Sequence, residues 1–495
     1  MEYIATFDIG TTAVKGVLVA LDGRAAAARS LEIPTLADGR FREQRPQDWW
    51  DAFRAISLDF CREAPPEKIL GVAMSGQMQD LIPLDGDLDP VCPAILYADG
   101  RAEDQAEALE AAVGPERFLA LTGSRCDGSL PLPKLMWLRE RRPELYARTR
   151  HILISSKDYV AARLTGVCAG DVTACSTAGA MDIREKRWSP ALLGAAGVPE
   201  ELFPRLLFPH ERAGAVLPGT DCGYLPGTPV YVGVGDAGAT TLACGAVRPG
   251  QYSVNLGTSG WVAAVSQDVL DLEAGVFNLA APVPGYYMNV VPFLNAGNVH
   301  RWISGVLTAP EKRAAGETDY AAMTALLAGS APGSHGVMFL PYLVGERFPV
   351  LDPDVRGSWV GLTPETSPAD LARACLEGVA FSLRQGLELL GTAPEELALF
   401  GGGGREAVWQ QILADVLGRP VSVSRNMDLL PARAVASIAL LGQGRIGSYE
   451  AFTDSLRREA GRVSRTPSPE ARRLYDGLYE RFRRLYPALR AVSAL

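Results

Sequence analysis

The sequence predicts an α/β protein built from two large, related domains. Three observations carry that expectation. Strand-like runs repeatedly meet glycine and then an amphipathic helix, the alternation of α/β architectures. A Gly/Thr hairpin near the N-terminus recurs about half a chain later, the mark of an internal duplication. The 495 residues are 47% hydrophobic and 21% charged, an ordinary globular composition with too much apolar material for a disordered chain.

The elements follow in order. Tyr3–Ile9 is the first strand and Gly16–Leu21 the next apolar run, and Asp8-Ile-Gly-Thr-Thr12 joins them as a hairpin. Pro46–Phe60 opens on proline and reads as a helix. Lys68–Ala73 is a strand candidate, and Leu132–Arg141 is a helix that precedes Pro143. Ser156–Leu164 is a helix that ends at Gly166, and Thr228–Val234 is a strand that runs into glycine. The hairpin motif returns as Gln251–Leu256, Gly257-Thr-Ser-Gly260 and Trp261–Val265, with Ile9-Gly-Thr-Thr12 aligned on Leu256-Gly-Thr-Ser259. Ser367–Leu390 is the clearest helix: Ser367-Pro-Ala-Asp opens it, and Leu371, Ala374, Cys375, Val379 and Leu383 form its apolar stripe. Glu396–Phe400 is a strand, Val408–Leu417 a helix stopped by Gly418, and Pro469–Arg490 one long amphipathic helix on the exterior. The boundary falls near Arg248-Pro-Gly250, which gives domains 1–247 and 248–450 and a helical extension 451–495.

Composition narrows the function classes. With 48 basic and 57 acidic residues the net charge is −9, which argues against nucleic acid as partner, because phosphate backbones want clustered Lys and Arg. Eight cysteines without a C-x-x-C pair, and only four histidines, argue against a zinc site and against a disulfide scaffold. No apolar run reaches the ~18 residues of a membrane span, and no basic segment followed by an apolar core opens the chain. The expectation is a cytoplasmic protein, with no membrane partner.

Six segments carry chemistry. Asp8-Ile-Gly-Thr-Thr12 sets a carboxylate, able to hold a hydrated Mg²⁺, before a tight turn whose N–H groups can receive phosphate. Taken alone, the segment is better explained as an ordinary hairpin with polar turn residues, because Gly and Thr are common at turns. Asn255-Leu-Gly-Thr-Ser-Gly260 offers a second turn, so two hairpins can face one polyphosphate. The chain has no G-x-x-x-x-G-K-[ST] loop and no G-x-G-x-x-G that opens a helix after a strand in a βαβ unit. Phe400-Gly-Gly-Gly-Gly-Arg405 lies between a strand and a helix, where backbone can approach a flat ligand or phosphate. Asp236 in Gly233-Val-Gly-Asp-Ala-Gly238 is the candidate base for a sugar hydroxyl, or a helix cap, or both. Ser75-Gly-Gln-Met-Gln-Asp80 and Tyr97-Ala-Asp-Gly-Arg101 supply the amides, carboxylates and guanidinium that suit a polyol.

In combination these segments resemble the FGGY carbohydrate kinases, and within them the xylulokinases. Phe7-Asp8-Ile-Gly-Thr-Thr12, Ser75-Gly-Gln-Met78, Asp99-Gly-Arg101, Lys157-Asp158-Tyr159, Gly235-Asp236, Asn255-Leu-Gly-Thr-Ser259, Pro341-Tyr-Leu-Val-Gly-Glu-Arg347 and Gly401-Gly-Gly403 occur in family order. The resemblance implies two actin/hexokinase-type (ribonuclease H-like) domains with a cleft between them, and ATP·Mg²⁺-dependent phosphorylation of a sugar. It implies Asp236 as catalytic base and Asp8 beside Mg²⁺. It implies Thr11, Thr12, Gly257, Thr258, Gly401, Gly402, Gly403 and Glu406 on the nucleotide side. On the sugar side it implies Met78, Gln79, Asp80 and Arg101 together with Asp236, and it leaves room for a homodimer. D-Xylulose is the first choice of sugar. Three departures keep other sugars open: Gln79 stands where xylulokinases usually carry His, Ala237 where they carry Asn, and Leu430-Pro-Ala-Arg433 where they carry a Glu-containing segment. The alternatives are a kinase for another ketose or polyol, such as ribulose or a tetritol, and a non-catalytic nucleotide or sugar sensor.

Overall fold

The computed structural model describes residues 1–270, 276–308, 319–391, 394–424, 429–459 and 461–493. Two sheets organise the chain. In the first, Tyr3–Ile9 pairs antiparallel with Ala13–Ala20, and that strand pairs antiparallel with Ala25–Glu32. On its other side Tyr3–Ile9 pairs parallel with Ile69–Gly76, which pairs parallel with Pro229–Tyr231 and Val234–Gly235. In the second, Tyr252–Leu256 pairs antiparallel with Gly260–Ser266, which pairs antiparallel with Tyr287–Phe293. Tyr252–Leu256 then pairs parallel with Leu397–Phe400, and that strand parallel with Val421–Ser424. The two sheets thus repeat one topology, an antiparallel meander of three strands continued by parallel ones. The aligned Gly/Thr segments are the first hairpin of each copy.

Local chemistry explains the helices. Pro46–Glu63 begins with proline at its first turn and buries Trp49, Trp50, Phe53, Ile56 and Phe60 along one face. Pro368–Leu389 starts from a complete capping box: Ser367 Oγ accepts from Asp370 N, and the Asp370 carboxylate accepts from Ser367 N. Ser156–Thr165 and Ala407–Leu417 stop at Gly166 and Gly418, both left-handed.

Three readings need correction. The Thr228–Val234 run is two strands, because Gly233 turns the chain at φ +77° so close to the first domain's sheet that a Cβ would stand 2.0 Å from Met74 O. The single helix over Pro469–Arg490 is two helices, Pro469–Phe482 and Leu485–Ser493. Pro487 lacks an N–H and its ring would meet the carbonyl of Arg483 in a continuous helix, so the first helix ends one turn earlier, at Arg483 and Arg484, and Pro487 lies in the first turn of the second, where no N–H is needed. The extension 451–495 is also not wholly helical, since Arg462–Arg465 pairs antiparallel with Val421–Ser424 at the edge of the second sheet.

Leu430–Gly442 is apolar on nearly every side, with Leu430, Val435, Ile438 and Leu440 buried. It follows the second sheet in sequence but packs against the strands Tyr3–Ile9 and Ile69–Gly76 of the first. Arg433 Nε donates to Gly23 O at 2.7 Å, and Gln443 Nε2 to Leu70 O at 3.0 Å. One apolar core therefore runs from Ile4, Val17 and Ala73 to Val254, Leu256 and Leu399. No helix among the described residues is long and apolar enough to cross a membrane.

Candidate active site

Two parallel strands end side by side at Ile9 and Gly76, and this sets the floor of the cleft. Asp8 accepts a hydrogen bond from Ser75 Oγ at 3.0 Å. Burial pushes its carboxyl above the usual range, against the pull of Ser75 and the Lys15 charge. The hairpin beyond it is braced from below. Thr11 Oγ1 donates to Gln77 Oε1 at 2.6 Å, and Gln77 Nε2 donates to Gln44 Oε1 at 2.9 Å. Gln44 Nε2 returns to Thr11 O at 2.6 Å, with Trp49 Nε1 on Gln44 Oε1 at 3.1 Å. Thr12 stays exposed at the tip.

Val234–Gly235 lies beside Ser75 and Gly76, which brings Asp236 next to Asp8. Asp236 opens the helix Asp236–Ala243, and its Oδ1 accepts from Ala237 N at 2.7 Å. The side chain is open to the cleft but walled by protein. Burial chiefly, then the charges of Asp8 and Asp171, raises it to about 7, while the Ala237 N–H pulls the other way. Behind this corner Lys157 is fully buried with Asp158 at 2.5 Å and Asp171 at 2.7 Å. Asp171 caps the following turn through Thr173 N and Ala174 N, both at 3.0 Å. The motif at Lys157 thus anchors the strand ends rather than facing the cleft.

Met78 packs against Gly235 so closely that a Cβ there would stand 2.1 Å from its sulfur. Gln79 follows at φ +66°. Asp80 is buried, accepts from Tyr97 N at 3.1 Å, and leaves Oδ2 without a partner. Desolvation pushes its carboxyl far up against the Lys134 charge. Arg101 is spent on protein. Its guanidinium makes a two-pronged pair with Asp99, bonds Glu43 at 2.7 Å, and lies between the rings of Phe41 and Trp137. It braces the wall behind Asp99.

Across the cleft, Gly257, Thr258, Gly402, Gly403 and Glu406 line one cavity of about 580 Å³. Gly401 lies beneath it at φ +84°, where a Cβ would stand 2.5 Å from the carbonyl carbon of Leu256. Gly403 lies against the Trp409 ring and Leu256 in the same way. Glu406 is turned inward: it accepts from Val408 N at 3.0 Å, capping the helix, and from Thr324 Oγ1 at 2.5 Å. Sequence reasoning missed His300, Arg301, Tyr320 and Thr324, which line the same cavity. Arg301 Nη2 donates to Thr258 Oγ1 at 3.1 Å. The signal available was Gly297 followed by polar residues at the start of a helix, a place that favours anions. A second cavity, of about 620 Å³, joins Tyr97, Asp127 and Ser129 of the first domain to Phe277 and Arg347 of the second.

Mg²⁺ fits this site in a particular way. Asp8 and Asp236 are close enough for mutual repulsion, and a cation relieves it. No group of three or more His, Cys, Asp or Glu among the described residues can cage a metal. Such a corner suits an ion that keeps its water and leans on phosphate.

Two domains of one topology that face each other with one hairpin apiece, a carboxylate pair on one side and a glycine-lined cavity on the other, have the architecture of the actin/hexokinase class. Residues 3–243 match the N-terminal domain of the FGGY family of carbohydrate kinases, and residues 252–434 match its C-terminal domain. The chain belongs to that family and is an ATP-dependent carbohydrate kinase. It is 31% identical to a xylulose kinase of Escherichia coli (strain K12), over 98% of this chain and 99% of that one. Its fold superposes on a ligand-bound xylulose kinase from Lactobacillus acidophilus with a TM-score of 0.91 at 25% identity, covering 100% and 99% of the two chains. A gluconate kinase from the same organism gives 0.90 at 25% identity over 99% of both.

Proposed function

We propose that this kinase phosphorylates the terminal hydroxyl of a ketopentose, D-xylulose first, to give D-xylulose 5-phosphate. The observation that carries the chemistry is Asp236: a cleft-facing carboxylate raised to about 7, beside Asp8. Support for the sugar comes from the full-length likeness to xylulose kinases.

In this reading ATP lies between the hairpins of Thr11–Thr12 and Gly257–Thr258, with its nucleoside in the cavity of Gly401–Gly403 and Glu406. The sugar lies along Met78, Gln79 and Asp80, with Arg101 supporting the wall. Asp236 orients the terminal hydroxyl and takes its proton as the oxygen attacks the γ-phosphorus in line, while ADP departs. Asp8 would hold a hydrated Mg²⁺, which supplies charge neutralisation at the phosphates. Hairpin N–H groups and Arg301 meet the phosphate oxygens, so positioning does most of the work. Closure of the domains excludes water, which competes with the sugar for the phosphoryl group.

Sugar-dependent ADP release over a panel of pentuloses, hexuloses, polyols and aldonates tests the assignment. D-Xylulose is expected to give the highest kcat/KM, and a clear preference for another member overturns it. Gln79 and Ala237 favour a second reading, a kinase for another ketose or polyol, because both change the groups that meet the sugar.

A further inference from the structure

Gln79 is held from three directions. Its φ of +66° lies in the left-handed region, which a residue with a side chain occupies only when its surroundings compel it. Its carbonyl accepts from Lys134 Nζ at 3.1 Å, and the same buried ammonium bonds Leu96 O at 2.7 Å. Its Nε2 donates to Ser129 Oγ at 2.6 Å, and Ser129 Oγ donates in turn to Asp127 Oδ1.

The protons of this chain can be counted. An aspartate carboxylate only accepts, and a serine hydroxyl has one proton. Ser129 gives that proton to Asp127 and so meets Gln79 with a lone pair. Only the N–H side of the amide satisfies it. The orientation of the amide thus follows from the partners, where for an isolated glutamine it would be ambiguous. Oε1 is left as the other end. Among the described residues none donates to it, and Gln79 is only half-buried. Ser129 and Asp127 themselves line the cavity between the domains.

We propose that Asp127 and Ser129 are positioning residues that lock Gln79 as a hydrogen-bond acceptor toward the sugar, and thereby select a substrate with a hydroxyl at that place over one with a carboxylate. This rests on the reading of Met78–Asp80 as the sugar side. A ketose or polyol presents a hydroxyl at the end away from the reacting one, and an aldonate presents a carboxylate. Two acceptors facing each other leave both unpaired in a desolvated site, a costly arrangement. An unlocked amide can turn its NH₂ outward and meet either group.

The experiment compares kcat/KM for D-xylulose, D-ribulose and xylitol with that for D-xylonate and D-gluconate, in the full-length enzyme and in three variants. Ser129→Ala removes the lock. Asp127→Asn adds a donor, so Ser129 is no longer forced to donate, and this variant serves if Ser129→Ala does not fold. Ser129→Thr keeps the hydroxyl. The expected result is about a tenfold fall in the ratio of best hydroxyl substrate to best aldonate for Ser129→Ala, a smaller fall for Asp127→Asn, and no change for Ser129→Thr. The KM for ATP stays the same throughout. A ratio unmoved in the folded lock variants overturns the inference, whichever sugar the unaltered enzyme prefers. A unaltered enzyme that prefers an aldonate overturns the xylulose assignment, and one that turns over no member overturns both.

Discussion

Asp236 is pulled in opposite directions by its surroundings. Protein walls and the charge of Asp8 favour the protonated form, while the Ala237 N–H favours the charged one. A base must be ionised to act, so kcat/KM is expected to fall tenfold per pH unit below about 7. A pH–rate profile flat from 8 down to 5.5 would rule out Asp236 as base. The same shift bears on stability. A carboxyl raised from an ordinary 3.8 to about 7 favours the folded state fully below about pH 4 and loses that contribution as pH rises through 7. Asp236→Asn therefore removes a strain present at pH 8. It should lower kcat by about 10²–10⁴-fold, while its Tm at pH 8 is equal to or above that of the unaltered protein. A lower Tm would mean that the carboxylate serves the fold. At this scale the sequence makes the proposed reacting residues conspicuous, because Asp8 and Asp236 stand at strand ends marked by glycine and threonine. It is less informative about Arg101. A guanidinium near a cleft looks like a ligand until Asp99 and Glu43 are seen to occupy it, and Glu43 lies 58 residues away.

Among the elements, the glycine run after Leu397–Phe400 shows why composition alone undersells a loop. Gly401 and Gly403 leave no room for a side chain against Leu256 and Trp409, so the loop is packed tightly rather than flexible. Gly401→Ala adds a Cβ at φ +84° into the backbone of the second hairpin. It is expected to raise the KM for ATP at least tenfold and leave the KM for the sugar within twofold, as read by steady-state kinetics. Equal rises in both would show that the loop acts on the whole cleft. The capping box of Pro368–Leu389 makes the opposite case. Ser367 is remote from both hairpins in the chain and holds only its own helix end. Ser367→Ala should cost about 1 kcal/mol in urea unfolding with kcat unchanged. Caps, glycine stops and apolar stripes are local, and the sequence displays them. The break of the last helix at Arg483 and Arg484, one turn before Pro487, was also legible in principle, since proline forbids the interior position that one continuous helix requires. The chain from Asp127 through Ser129 to Gln79 was not legible. It links a loop to a strand end 50 residues away, and no local pattern announces such a contact.

For the whole molecule, the duplication was visible in four aligned residues, Ile9–Thr12 and Leu256–Ser259. The destination of Leu430–Gly442 was not. An all-apolar helix tells that it is buried, but not against which sheet. Its packing on the first domain ties the halves through one core, and this predicts how the protein unfolds. Chains of two domains commonly unfold in separate steps. Here neither half keeps its apolar surface covered without the other, because Ile4, Val17 and Ala73 share a cluster with Leu430, Val435 and Ile438. Calorimetry of the unliganded enzyme should therefore show a single transition, with calorimetric and van't Hoff enthalpies in a ratio of about one. Gly442 is the contact point to perturb. A Cβ there would stand 2.4 Å from both His210 O and the Tyr231 ring. Gly442→Leu forces the helix off the first sheet at a cost of about 1–3 kcal/mol. It should lower the midpoint and broaden or split the transition, with both hairpins and Asp236 untouched in sequence. Two well-separated transitions in the unaltered protein would refute the shared core. A sharp single transition in Gly442→Leu, at an unchanged midpoint, would show that the helix end is not what couples the domains.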